Sequence, residues 1–410
     1  MQLVAYGAQD VYLTGNPKVT FFQAVYKRHT NFAMENIEQT VNGTAANSGR
    51  VSVTVARNGD LIADMYVELT CLTAPGITED AWIAESAIST VELSIGGQRI
   101  DKHYQKWWRL YAELYLDESA KLNYGKMTSA TIDNEKVYLP LIFFFNRNPG
   151  LALPLIALQY HEVRIDIDLA STYANFDSLK VWGNYIYLDT EERRRFAQKG
   201  HEYLIEQVQH TGSDSLAAAG STKQIRLSYN HPVKELVWCT TESSNVVGDA
   251  NGVWNFTDTE VTVSSAMASV AASNVAIAPN AAGAPALYGL AQFDEETSGP
   301  LDSFKLVLNG QDRFKEQGGK YFNSVQPFVH HSSSPMPGIY SYSFALKPEE
   351  HQPTGTCNFS RIDNAQVSIS VKGTSSPRGT DSTKNTLNMF ATNYNVLRIQ
   401  SGMGGLAFSN

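Results

Sequence analysis

The chain has 410 residues and a net charge of −9. That length predicts two domains, and that charge, with no basic arm or stripe to neutralise phosphates, argues against a protein built to wrap nucleic acid. Three cysteines, Cys71, Cys239 and Cys357, are too few and too dispersed for a disulfide framework or a CxxC metal site, and read as buried free thiols of a reducing compartment.

The N-terminus lacks a charged-then-apolar signal layout. Residues 1–30 read as a separate leading segment. Asn16-Pro17 reads as an N-cap followed by proline at the first helical position. Val19, Phe22, Val25 and Tyr26 then share one helical face, which predicts a short helix over 17–28.

Strand signals follow. Val51, Val53 and Val55 alternate with Ser52 and Thr54; Val91, Leu93 and Ile95 alternate with Glu92 and Ser94. Asn42-Gly43 reads as a hairpin turn between strands. A second helix is predicted over 107–121, with Trp107, Leu110, Tyr111 and Leu114 on one face. The most apolar stretch, 140–158, is broken by Asn146-Arg147-Asn148-Pro149-Gly150 and cannot cross a bilayer as one helix. Val163, Ile165, Ile167 and Leu169 alternate with Glu162, Arg164, Asp166 and Asp168, and Val367, Ile369 and Val371 with Gln366, Ser368 and Ser370. Each run has one apolar and one polar face, the pattern of antiparallel sheets packed as a sandwich.

The chain repeats itself. Ile37-Glu38-Gln39-Thr40 is similar to Ile225-Arg226-Leu227-Ser228. Leu93-Ser94-Ile95-Gly96-Gly97-Gln98 is similar to Leu306-Val307-Leu308-Asn309-Gly310-Gln311. The strand at Val163 matches that at Val367, and Asn184-Tyr185-Ile186-Tyr187-Leu188 matches Asn393-Tyr394-Asn395-Val396-Leu397. Four matches in one order predict two tandem copies of a β-domain. The spacing jumps between the first and second match, so the second copy carries an insertion. Residues 242–300, rich in Ala, Ser, Asn and Gly, are that insertion and read as a surface loop. A linker is expected over 210–221, where Gly, Ser and Ala cluster. The domains are therefore 1–30, 31–212 and 222–410.

Catalytic constellations are weak. A cupin-type metal site needs His-x-His on one strand face, and no two histidines are so spaced. His330-His331 is adjacent, which sends the rings to opposite strand faces. Asp166 and Asp168 share a face but sit on the polar side of their strand. No Gly-x-Ser-x-Gly elbow occurs. Gly96-Gly97 and Gly402-Met403-Gly404-Gly405 lack the Lys-Ser/Thr of a phosphate loop and read as turns needing positive φ. Neither an enzyme nor a cofactor is expected. Asn42, Asn255 and Asn358 carry N-x-S/T sequons.

Specific motifs are similar to those of one family. Ala5-Tyr6-Gly7-Ala8-Gln9-Asp10-Val11-Tyr12-Leu13-Thr14-Gly15-Asn16-Pro17 opens the resemblance. Arg57-Asn58-Gly59-Asp60-Leu61-Ile62 and Gly96-Gly97-Gln98-Arg99-Ile100-Asp101 continue it. Asn148-Pro149-Gly150-Leu151-Ala152-Leu153-Pro154-Leu155 lies in the longest match, which spans 148–163, and Gly355-Thr356-Cys357-Asn358-Phe359-Ser360-Arg361 carries it into the second half. The chain thus resembles the major capsid proteins of nucleocytoplasmic large DNA viruses, above all those of algal viruses. The resemblance covers nearly the whole chain and is weakest over 242–300 and 372–386.

The resemblance implies an all-β fold of two tandem eight-stranded antiparallel jelly rolls. It implies a homotrimeric capsomer that tiles an icosahedral shell with neighbouring capsomers. Minor capsid proteins would lie beneath, with an internal membrane reached only indirectly, no direct nucleic acid contact, and assembly in the host cytoplasm. Relatives carry glycans on exposed loops of the second domain outside the usual sequon, which makes Asn385 a glycosylation candidate beside Asn255. The expected tower loops are 242–300 and 372–386. The rival classes are a minor capsid paralogue and a carbohydrate-binding jelly-roll attachment protein using exposed aromatics such as Trp254.

Overall fold

The computed structural model describes residues 7–72, 82–130, 132–242, 256, 278–279, 285–286, 299–373 and 382–408. The first half contributes β1 Phe32–Gln39, β2 Val41–Asn42, β3 Arg50–Thr54, β4 Leu61–Cys71, β5 Ile88–Ile95, β6 Gln98–Tyr104, β7 Lys136–Pro140, β8 Leu153–Pro154, β9 Val163–Leu169 and β10 Phe176–Leu188. The second contributes β11 His201–Ser215, β12 Lys223–Leu227, β13 Pro232–Thr241, β14 Ala278–Pro279, β15 Pro285–Ala286, β16 Leu301–Leu308, β17 Gln311–Asp312, β18 Ile339–Ser343, β19 Cys357–Asn358, β20 Ala365–Val371, β21 Thr386–Gln400 and β22 Met403–Leu406. The helices α1 Asp10–Thr14, α2 Ile83–Ser86, α3 Gln105–Tyr115, α4 Glu118–Thr128, α5 Phe144–Arg147 and α6 Thr190–Gln198 are short.

Four sheets carry the fold. Sheet I runs β1-β10-β4-β7, with β8 on β4; sheet II runs β2-β3-β9-β5-β6. Sheet III runs β11-β21-β13-β18, with β19 and β22 attached; sheet IV runs β12-β20-β16-β17. The pairings within these sheets are antiparallel. Replacing β1, β10, β4 and β7 by β11, β21, β13 and β18, and β3, β9, β5 and β6 by β12, β20, β16 and β17, converts one barrel's strand order into the other's. Each half is an eight-stranded jelly roll, as the resemblance implies, and the two copies are those the repeat predicts.

Three of the four sequence matches join equivalent strands: the β5–β6 hairpin with β16–β17, β9 with β20, and β10 with β21. The fourth does not. Ile37 lies in β1 and Ile225 in β12, which holds the place of β3. The insertion survives this correction, because β4 ends at Cys71 and β5 starts at Ile88, whereas β13 ends at Thr241 and β16 starts at Leu301.

The alternating runs form strands because they bury one face. Val163, Ile165, Ile167 and Leu169 of β9 are buried between the sheets, each side chain contributing about 1.5–3 kcal/mol. Asp166 and Asp168 point outward onto Arg164 and Arg50. One apolar cluster fills the first barrel; a second, around Trp238, Phe304 and Phe322, fills the other.

Several local expectations are corrected. No helix forms over 17–28. The helix is α1, and Asn16 sits at φ 50 instead of the extended conformation an N-cap needs. The stripe Val19, Phe22, Val25 and Tyr26 is exposed, so no tertiary packing supports a short helix there. The helix of 107–121 is two. Asp117 breaks it by capping α4, its Oδ1 accepting from Ala120 N at 2.7 Å. Asn42-Gly43 is not a tight turn, since β2 ends at Asn42 and β3 starts at Arg50. The linker over 210–221 is largely strand: β11 runs to Ser215 and pairs along its length with β21, so 201–212 hydrogen-bond into the second barrel.

Candidate functional site

The candidates read from the sequence are scattered. Asn385 is exposed just before β21, its carbonyl accepting from Leu216 N at 2.6 Å and its side chain from Thr386 Oγ1 at 3.1 Å. Asn255 and Trp254, most of 242–300 and the middle of 372–386 lie outside the described residues. Asn42 is exposed at the end of β2, whereas Asn358 Oδ1 accepts from Ser360 N at 3.0 Å and caps a turn. Asp168 receives two hydrogen bonds from Arg50, at 2.6 and 2.9 Å, and one from Thr90. The Arg50 guanidinium, helped by Thr90, holds that carboxyl below its ordinary range against a modest burial penalty. Gly96, Gly97 and Gly402 do adopt positive φ. Among the described residues no three His, Cys, Asp or Glu side chains group as metal ligands, and no helix is long and apolar enough to cross a membrane.

What the fold does bring together is a seam between the barrels. Helix α3 has a strongly amphipathic sequence and lies against the outer face of sheet III. Trp107 packs on Phe390 with ring centroids 5.5 Å apart, and Tyr104 packs on His210 at 4.9 Å. Lys106 Nζ reaches Thr241 Oγ1 at 3.4 Å. Tyr115 OH donates to Glu235 at 2.5 Å. Where α3 covers it, along β13 and most of β21, sheet III is buried on both faces. Leu236 and Trp238 join the second barrel's core, while Val237, Cys239 and Phe390 join the cluster centred in the first.

That burial traps charge. Glu206 accepts from Lys234 at 2.7 Å and pairs with Arg147 from the first barrel at 3.0 Å. Burial would raise this carboxyl, but Arg147 and Lys234 outweigh it and hold Glu206 below its ordinary range. Lys234, burdened mainly by desolvation, is lowered. His331 lies between Glu235, 2.5 Å from Nε2, and Glu349, 3.2 Å from Nδ1. Burial alone would depress this imidazole; Glu235 and then Glu349 overcome it and push His331 up to about 10. Tyr115, raised by burial and by Glu235, stays a protonated donor. Sequence patterning did not reveal this network, because Arg147, Glu206, Lys234 and His331 lie far apart in the chain and meet only across the seam.

Strand β22 closes the seam. Leu406 N donates to Gln98 Oε1 at 3.1 Å, and His161 Nδ1 lies 2.9 Å from Gly404 O. A Cβ at Gly404 would stand 2.7 Å from Leu158 Cδ2, so a larger residue there would have to push that buried side chain aside.

The seam's buried polar groups pair with one another and join two similar barrels. Known proteins agree. Residues 20–189 match the family model described as major capsid protein N-terminus, and residues 192–405 match that of the large eukaryotic DNA virus major capsid protein. The chain belongs to the major capsid proteins of large eukaryotic DNA viruses. Its relatives include the major capsid protein of Paramecium bursaria Chlorella virus 1, 46% identical over 100% of this chain and 99% of the relative. That of Pyramimonas orientalis virus is 42% identical with the same coverage. In a quasi-atomic structure of the PBCV-1 virus capsid, the similar chain superposes with a TM-score of 0.80 at 42% identity, covering 95% of this chain and 100% of that one. The Faustovirus major capsid protein, 12% identical, shares the fold at a TM-score of 0.70. This member of the family is accordingly a structural subunit of a viral capsid and a component of the virion. The two family matches meet at α6, the place where strand pairing changes from one barrel to the other.

Proposed function

We propose that three copies of this capsid protein associate into a capsomer of near-hexagonal outline that tiles an icosahedral shell. The observation that carries the reading is the exact reuse of one eight-strand arrangement in both barrels. Three such chains present six similar modules around one axis. The division between modules is best placed at 189–200, in place of 210–221, because β11 hydrogen-bonds within the second barrel. The residues of the arm, 1–30, face inward toward minor capsid proteins, with an internal membrane reached only through them and no direct contact with the genome. Its exposed Tyr12, Phe21, Phe22 and Tyr26 suit protein contacts. Assembly takes place in the host cytoplasm, the protein catalyses nothing, and Asn385 and Asn255 are the residues on which glycans are to be sought.

Apolar packing holds the capsomer, so screening leaves it intact. The test is sedimentation of purified protein from low salt to about 1 M, where the Debye length falls to roughly 3 Å. A trimer throughout is expected. Monomers at every concentration refute the reading, and salt-induced dissociation refutes the role given to packing.

A further inference from the structure

The two barrels occupy equivalent frames but differ in what covers them. In the second barrel, the outer face of sheet III is capped by α3, which lies between β6 and β7 of the first. In the first barrel, the equivalent outer face of sheet I is covered at one end, where Leu61, Ala63 and Ile186 pack with Ala152 and Phe196, and open at the other. It carries a cleft of about 470 Å3 lined by Tyr66, Tyr138, Trp182, Met127 and Pro140, with Asp64 at its rim. Tyr66 and Tyr138 meet edge to face at 5.7 Å. The Trp182 indole N–H, shielded from solvent, has no acceptor among the described residues.

The second barrel has its own counterpart of α3. Between β17 and β18 the chain forms a helical segment, Tyr321–Val325 continued by Gln326–His330. One side of it is anchored: Phe322, Asn323, Gln326 and Pro327 are buried. The other side is bare and apolar, with Phe328 87% exposed and Val325 and Val329 beside it. His330 Nδ1, bonded to the Leu346 carbonyl at 3.0 Å, brings the exposed Leu346 to the same ridge.

We propose that the ridge Val325, Phe328, Val329 and Leu346 of one copy seats in the cleft of Tyr66, Tyr138, Trp182 and Met127 on the next copy. The contact repeats between chains what α3 does within one. Every module around the ring then presents its helical segment to the outer sheet of the following module. The contact is head-to-tail, and such a contact closes when the rotation between copies completes a circle. Its aromatic and aliphatic lining suits a desolvated centre. The inference rests on the capsomer reading and adds to it which surfaces meet.

The experiment uses the full-length protein. Copies carrying Phe328→Cys are mixed with copies carrying Met127→Cys, dissociated, reassembled and oxidised. Disulfide-linked dimers are expected in the mixture and in neither parent alone. In parallel, Phe328→Glu is expected to weaken self-association at least about tenfold by sedimentation, with an unchanged monomer melting curve because Phe328 is exposed. If Phe328→Glu associates like the parent and the mixture does not cross-link, the ridge-and-cleft contact is wrong while the capsomer stands. If the unmodified protein is itself monomeric, both fall. Cross-linking of Met127→Cys to a cysteine placed at Phe22 in the arm, in preference to one at Phe328, would give the cleft to the arm and overturn the assignment.

Discussion

Sheets I and III have the same strand order and a different fate. In β4 of sheet I, Met65, Val67 and Leu69 are buried, whereas on the other face Asp64 is exposed, Tyr66 and Thr70 are half-buried and Glu68 is buried under its pair with Lys136: one dry face and one partly wet. In β13 of sheet III every residue after Pro232 is buried. The strands β10 and β21 repeat the contrast. One architecture thus serves once as a half-solvated wall and once as an internal partition. What differs is the neighbour: α3 lies along sheet III, whereas on sheet I the packing of Leu61, Ala63 and Ile186 with Ala152 and Phe196 covers one end. Lys234 and Glu235 show the consequence. They occupy positions where a half-solvated strand would carry charge harmlessly, and the covering helix forces them to find partners in Glu206, His331 and Tyr115.

Removing one partner from the partition should have the largest effect. Glu206→Gln leaves Arg147 and Lys234 facing each other without their shared carboxylate, and should cost about 3–5 kcal/mol in chemical denaturation. Asp64→Asn on the open sheet should change stability by less than about 0.5 kcal/mol. Equal losses would erase the contrast.

A pH series sharpens it next. His331 titrates near 10 in the folded chain, above its ordinary 6.5. Its contribution is therefore complete below about 6.5 and is lost as pH rises through 10, an effect on the order of a few kcal/mol. Glu235→Gln should flatten this alkaline limb. Glu85, which burial pushes up to about 7 despite Arg109 and Tyr124, has the same sign in a lower window: stability declines as pH climbs from about 4.5 to 7. Melting temperatures of the parent and of His331→Gln across pH 6–10 should converge at the alkaline end.

Gly404→Ala probes the seam where backbone meets side chain. Its Cβ would press on Leu158, and overpacking of this kind costs about 1–3 kcal/mol, read from denaturant midpoints. Smallest of all, Lys180→Ala on the wet face of sheet I breaks only an exposed pair with Glu38, 3.5 Å long, and should shift the midpoint by less than about 0.5 kcal/mol.

The same contrast explains what the sequence made legible. The strands β3, β5 and β9 have one wet face, so Val51, Leu93 and Ile165 alternate with polar residues and could be read directly. The strand β13 is dry on both faces and has no period to detect, so it went unread, as did the charges within it. The repeat was legible because β9 and β20, and the two hairpins, keep similar patterns in equivalent places. It failed at Ile37 and Ile225 because short strand motifs recur by chance. The resemblance of whole motifs identified the family; the seam and the cleft emerged only when strands far apart in the chain were placed side by side.

The terminal strand β22 has a bearing on how the protein is made. Every strand of the first barrel lies between Phe32 and Leu188, so that barrel can close while the ribosome is still producing the second, as amino-terminal domains commonly do. The second barrel must wait for β21, whose residues pair with β11 from nearly 200 positions earlier. Only then do Gly404 and Leu406 emerge to grip His161 and Gln98. Residues 403–406 act as a latch between two bodies already formed, and a chain cut just before Met403 keeps the eight strands of each barrel but loses the latch.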